Sequence, residues 1–248
     1  MSYDYNPAAP FGAIGEDGQL HNVPTDYAEA DASTSGQTRM AYRLAKAYNG
    51  RLLHVYGLGW LHWTGTHWAE DKTGAGTRAI LDVLRQSHTE AFGDDKLVRD
   101  VKACNSAPGI EGVLRIAAAL PEFTSTVDDL DADPYLLNVA NGTFDLRTME
   151  LRAHNPADRC TRVTTGAYRP ETQGTTWRRF LATSLPDQHV REFLQRYVGQ
   201  ALVGRVVEQK LVILTGQGGN GKSVWTGAVE FTLGDYAITP QPDMLLAK

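Results

Sequence analysis

The chain has 248 residues, of which 42% are hydrophobic and 9% aromatic, and a formal net charge of -5. This is the composition of an ordinary globular protein with enough apolar surface for a core, in one large or two ordinary domains. No apolar run approaches a membrane span and the opening MSYDYNPAAP lacks the basic and apolar regions of a signal peptide, so a cytoplasmic protein without membrane attachment is expected. Cys104 and Cys160 stand apart, with neither CxxC nor paired-histidine spacing, which argues against a zinc site and for reduced, buried thiols.

The charge is unevenly spread. Residues 1–38 contain Asp4, Glu16, Asp17, Asp26, Glu29 and Asp31 but no Lys or Arg, and the rest of the chain is close to neutral. Rich in Ala, Gly, Ser and Pro, residues 1–37 are expected to form a disordered acidic leader, because too little apolar surface is available to offset the loss of chain entropy. From Thr38 the composition changes, and Met40, Tyr42, Leu44 and Tyr48 lie in a helical run that Gly50 can stop. Leu52 to Trp63 reads as β structure, with Thr64, Gly65 and Thr66 connecting it tightly to His67 and Trp68. Trp60, Trp63 and Trp68 fall close together. Such a cluster is either a platform for single-stranded bases or, on the plainer reading, the core of a small sheet.

Helices are expected over about 77–92, 96–104 and 110–120, with Ser106, Ala107, Pro108 and Gly109 separating the last two. The acids Asp128, Asp129, Asp131 and Asp133 lie in a Pro-containing connector and read as a solvated loop rather than a metal site. Asn141-Gly142 between two β-prone runs predicts a hairpin, since both residues tolerate positive φ, and Thr143 to Leu151 predicts a further strand pair turning near Thr148. Arg147, Arg152, Arg159 and Arg162 surround this module, where phosphate contacts and a solvated rim are both open to them. A helical pair begins at Trp177. Its second helix carries Val190, Phe193, Leu194, Tyr197, Val198, Ala201 and Leu202 at one-face spacing, started by Pro186-Asp187 and stopped by Gly204.

The chemistry-bearing stretch is Leu211 to Tyr236. Leu211 to Leu214 predicts a strand buried on both faces. It runs into Gly216, Gln217, Gly218, Gly219, Asn220, Gly221, Lys222 and Ser223, which fit G-x-x-x-x-G-K-[ST], and a helix follows with Val224, Ala228 and Phe231 on one stripe and Gly234 at its end. A polyphosphate needs several N–H groups at close range, which glycines permit by removing side chains and allowing positive φ. The helix N-terminus adds partial positive charge behind the same anion. Lys222 would reach the β and γ phosphates of ATP, and the Ser223 hydroxyl would ligate Mg.

The segments GWLHWTGTHW, LLNVANGTFDLRTMELRAHNPADRCTRVTTGAY, LQRYVGQALVG and QKLVILTGQGGNGKSVW occur in that order, and with them residues 38–248 resemble phage and plasmid primase-helicases. In that family a poxvirus-type primase-associated domain precedes a superfamily 3 helicase domain. The resemblance implies an α+β upstream domain of helices and small antiparallel hairpins over 38–176, a helical linker over 177–205, and the start of an α/β P-loop NTPase domain over 206–248. It implies ATP-driven DNA unwinding in replication, single-stranded or forked DNA as partner, a hexamer as the working assembly, and Lys222 as the catalytic phosphate ligand. Such a motor also needs an acidic pair on a second strand, a polar sensor and an arginine finger. The 25 residues after Ser223 hold none of these, so the sequence is expected to stop inside the motor and to turn over little ATP by itself. The alternatives are a non-enzymatic DNA-binding or assembly module and a different P-loop enzyme such as a small-molecule kinase, for which no substrate site is apparent.

Overall fold

The computed structural model describes residues 26–240, together with the backbone of two short strands, β1 (Ala13–Ile14) and β2 (Leu20–His21), which pair antiparallel. The described residues form two compact units, the first made of those up to 63 together with 69–127, the second of 64–68 together with those from 128 onward.

The first unit is a helical cluster beside a small sheet. Asp26 caps α1 (Tyr27–Ser33) by accepting from the amides of Ala28 and Glu29. The next helix, α2 (Gly36–Tyr48), is the centre of the unit, with Met40, Ala41, Leu44 and Ala45 fully buried along one face. Around it pack α3 (Ala75–Glu90), α4 (Asp95–Cys104) and α5 (Ala107–Ala117), which contribute Ile80, Val83, Leu97, Val101 and Val113 to one continuous core. Asp94 caps α4 and Ser106 caps α5. In the sheet, β3 (Leu52–Val55) pairs antiparallel with β4 (Gly59–Trp63), setting Leu53 opposite Leu61, and parallel with β6 (Thr124–Ser125). The remaining strand, β5 (Trp68–Glu70), lies at its edge.

Two expectations change here. Residues 26–37 are ordered, although composition placed them in the acidic leader: α1 buries no residue of its own and is held by polar contacts at long sequence separation, which composition does not register. Asp31 pairs with Arg39 and Arg43, and the Tyr27 hydroxyl donates to Glu122 Oε1 at 2.9 Å. The rest of the expected leader lies outside the described residues, β1 and β2 excepted. The second change is at Ser106 to Gly109, which form the cap and first turn of α5. Proline fits the first turn of a helix, where its missing N–H is not needed.

The second unit is built around a three-stranded antiparallel meander, β7 (Leu136–Val139), β8 (Gly142–Asp145) and β9 (Glu150–Arg152), with the second turn around Thr148-Met149 as expected and the first at Ala140-Asn141, one residue earlier than expected, because Gly142 already pairs with Val139 as the first residue of β8. Its small core joins Leu137, Val139 and Phe144 to Tyr168, Leu202 and Tyr236. The fully buried Asn138 is its polar hub. Its Nδ2 donates to the carbonyls of Thr66 at 2.9 Å and Arg162 at 2.8 Å, and its Oδ1 accepts from Thr143 Oγ1 and from His154 Nδ1 at 2.8 Å. Because Oδ1 can only accept, the His154 proton sits on Nδ1. The Trp68 indole donates to the Pro156 carbonyl at 2.9 Å in this unit, while Trp60 meets His54 and Phe123 edge-on in the first, so both tryptophans serve cores.

The helical pair is present as α6 (Thr175–Ser184) and α7 (Gln188–Ala201), followed by α8 (Lys222–Leu233). Of the apolar stripe of α7, Leu194 is buried, while Val190 and Phe193 are 41% and 48% exposed. The second unit begins after Val127, so the hairpin module and α8 lie in one unit. The physical reason is a set of bonds that tie the end of α8 to the residues following the meander. Gly166 N–H donates to Thr232 O at 3.0 Å, Asp235 N–H to Val163 O at 3.2 Å, and Val163 N–H to Asp235 Oδ2 at 3.2 Å.

Candidate functional site

Leu211 to Leu214 does not form a strand. A strand exists by pairing, and among the described residues nothing pairs with this segment, in which Leu211 is 77% and Ile213 73% exposed. Val212 and Leu214 are half-buried and, with Phe180, Leu185, Leu194 and Trp225, line a cleft of about 260 Å³ that reaches Lys222. The segment is thus covered on one face, not on both.

The loop that follows is curved, as a phosphate loop must be. Gly219 and Gly221 take φ of 76° and 84°, conformations in which an L side chain is strained. Gly221 is the N-cap of α8, and no side chain caps that helix. The first N–H groups of a helix have no partner within it. Among the described residues, the amides of Lys222, Ser223 and Val224 in the first turn of α8 have no close protein acceptor, so N–H groups at the positive end of α8 are available to an anion. Ser223 is exposed in the first turn.

Lys222 curls back over the loop. Its Nζ lies 2.8 Å from Asn220 Oδ1, 3.1 Å from the Gly216 carbonyl and 3.3 Å from the Gln217 carbonyl. The floor of the loop rests on α6, since a Cβ at Gly221 would collide with the Ser184 hydroxyl and the Phe180 ring. The residues fit a magnesium–nucleotide group on chemical grounds: N–H groups and one ammonium for phosphate oxygens, and a hydroxyl for a metal whose other ligands are phosphate and water. Among the described residues there is no cluster of three or more His, Cys, Asp or Glu side chains that would hold a metal by itself.

Several of the other candidates have structural partners. Arg147 pairs with Asp133 at 2.7 Å and Asp145 at 2.9 Å, and Arg152 makes a two-pronged pair with Asp158 at 2.6 and 2.7 Å. Hydrogen bonds from Arg147 hold Asp145 down at about 2. Asp131 accepts from the amide and hydroxyl of Thr161, so the acidic run braces a loop. Arg159 is partly buried, and burial pushes its guanidinium below the usual arginine range. Cys104 and Cys160 are buried free thiols, and burial pushes Cys160 up to about 12. Sequence reading missed the roles of Asn220 and Asn138. For Asn138 a signal was present, a carboxamide inside the otherwise apolar run LLNV.

The chain is similar to two large viral proteins. One, from Acanthamoeba polyphaga mimivirus and described as a candidate helicase, is 28% identical over 166 residues, covering 65% of this chain and 17% of that protein. The other, from African swine fever virus and described as a candidate primase, is 27% identical over 135 residues, covering 51% of this chain and 14% of that protein. The match therefore spans less than a fifth of either relative. The D5 N terminal like family matches residues 41–186, a stretch that ends before the glycine loop. Since that match takes in more than half of the sequence, the chain belongs to the D5 N terminal like family.

Proposed function

We propose that this chain is a module of a DNA-replication primase-helicase and that Gly216, Gln217, Gly218, Gly219, Asn220, Gly221, Lys222 and Ser223 hold the triphosphate of ATP with its Mg. The observation that carries the reading is the uncapped start of α8, where the first-turn amides have no close protein acceptor and the glycine loop turns the Lys222 ammonium inward. In the bound state the amides and Lys222 stabilise the β and γ phosphates, and the Ser223 hydroxyl ligates Mg. Hydrolysis coupled to DNA unwinding, with single-stranded or forked DNA as partner and in a hexamer, belongs to the larger assembly. The family match and the viral relatives support that setting.

Equilibrium titration of the purified chain with a fluorescent ATP analogue in the presence of Mg tests the site. Saturable binding that inorganic triphosphate displaces and Lys222→Ala abolishes, with the circular dichroism spectrum unchanged, is the expected result. Equal binding by the variant rejects the assignment.

A second reading, a non-enzymatic DNA-binding or assembly module, has its own observation: the first unit has a self-contained core and presents Tyr56 84% exposed between β3 and β4. Salt-dependent binding of single-stranded DNA that weakens on Tyr56→Ala supports it, because stacking on an aromatic ring is lost with the ring.

A further inference from the structure

The Lys222 ammonium has three protons to donate, and in this structure all three have acceptors: the Gly216 carbonyl, the Gln217 carbonyl and Asn220 Oδ1. A phosphate oxygen therefore cannot gain Lys222 without displacing one of them. Two are backbone carbonyls at the entrance of the loop. The third, the shortest at 2.8 Å, is a side chain that has no other acceptor role among the described hydrogen bonds. Asn220 also fills the loop bodily: a Cβ at Gly216 would run into its Nδ2, so the carboxamide lies between Gly216 and Lys222. Its donor end faces the glycine and its acceptor end faces the cation, which is the polarity needed to hold the lysine while no anion is present.

We infer that Asn220 is a positioning residue that acts through Lys222. Its carboxamide occupies the loop in the nucleotide-free state, holds the ammonium inward, and must swing out before the β and γ phosphates enter. The inference rests on the phosphate-loop reading and deepens it by naming what the nucleotide displaces. Three consequences separate it from a general role in folding. Removing the carboxamide removes a competitor, so Asn220→Ala binds ATP more tightly, by about fivefold if one net hydrogen bond is released. Replacing it by a carboxylate makes the competitor an ion pair and adds a negative charge facing the incoming phosphates, so Asn220→Asp binds ATP more weakly, by tenfold or more. AMP, which has no β or γ phosphate, is bound equally by all three proteins.

The test is a pair of measurements on the whole chain. The first is titration of wild type, Asn220→Ala and Asn220→Asp with ATP, ADP and AMP in the presence of Mg. The second needs no nucleotide: the acylation rate of Lys222 by an amine-reactive ester, read by mass spectrometry, with the exposed Lys210 as internal reference. Tighter ATP binding and several-fold faster Lys222 acylation in Asn220→Ala, with Lys210 and AMP unchanged, is the result expected. If wild type binds ATP while Asn220→Ala binds it equally or more weakly, the inference is overturned and the phosphate-loop reading stands. If neither protein binds ATP, both are overturned. An unchanged acylation rate also overturns the inference, whatever the nucleotide data.

Discussion

The Tyr236 hydroxyl stands 3.2 Å from the backbone amide of Asn138 and accepts its hydrogen, joining the turn that ends α8 to the middle of β7. The same hydroxyl lies 3.4 Å from the Arg162 carbonyl, to which the Asn138 carboxamide also donates. One small polar node thus fixes the far end of the helix whose near end forms the glycine loop. Helix α8 offers no buried residue of its own, so this node and the bonds at Thr232 and Asp235 set its position.

Removing the hydroxyl tests the node directly. Tyr236→Phe keeps the ring in the small core and leaves the Asn138 N–H unpaired, which costs about 1–3 kcal/mol. Asn138→Ala strands two carbonyls and the partners of Oδ1 together and costs more than Tyr236→Phe. Urea unfolding of the two variants checks the order. Equal stability of wild type and Tyr236→Phe rejects the node as a structural tie.

Gly221→Ala reports on the seat of the loop. The glycine has φ of 84°, and its missing Cβ leaves room for Ser184 and Phe180 of α6. An alanine meets both the conformational penalty and the collision, so the loop must lift from α6. The expected outcome is a loss of about 1–3 kcal/mol of stability together with loss of ATP binding. Gly218→Ala is the control: a Cβ there meets nothing and its φ is not left-handed, so stability stays within about 0.5 kcal/mol of wild type.

Acid should loosen α1. Burial works against the charge on Asp31, but hydrogen bonds from Arg43 and Arg39 outweigh it and hold the carboxyl at about 2, below its usual range near 4. A depressed folded value means that the contribution is fully present above about pH 4 and is lost as pH falls toward 2. The urea midpoint of the wild type should therefore drop over that interval. In Asp31→Asn the midpoint is lower at neutral pH and the acid-dependent part of the drop is smaller. A parallel drop in both proteins would show that other carboxylates carry the effect.

What could be read from the sequence was local and periodic. A hairpin within one residue of Asn141-Gly142 and another at Thr148, the helices around Met40, Ile80 and Leu194, and the helix after Lys222 follow from turn chemistry and one-face spacing, which are properties of adjacent residues. What could not be read was pairing at a distance. Arg39 and Arg43 meeting Asp31 turns an acidic stretch into an ordered helix, and Tyr236 meeting Asn138 ties the hairpin module to the end of α8. The candidate site divides the same way. The glycines and Lys222 were legible because each serves its own stretch of backbone, whereas the hold of Asn220 on Lys222 is a matter of side-chain direction that spacing does not encode. Leu211 to Leu214 shows the limit from the other side: four apolar residues suit a strand, but a strand also needs a neighbour.

The apolar stripe of α7, read from the sequence as a buried face, is only partly covered. Phe123 and Phe193 are the same residue type in opposite settings, the first fully buried against the core of the first unit, the second 48% exposed and stacked on Tyr197 at 6.3 Å. Truncating a buried phenylalanine removes its transfer energy and leaves a cavity, so Phe123→Ala should cost about 3–5 kcal/mol. Phe193→Ala gives up part of one face and should cost about 1 kcal/mol or less if the exposed face of α7 is free in solution. The two variants, compared by chemical unfolding at several protein concentrations, separate a bare stripe from a covered one. A cost for Phe193→Ala approaching that of Phe123→Ala and growing with protein concentration would mean that a second copy of the chain covers the stripe, because only a partner lost on unfolding makes stability depend on concentration.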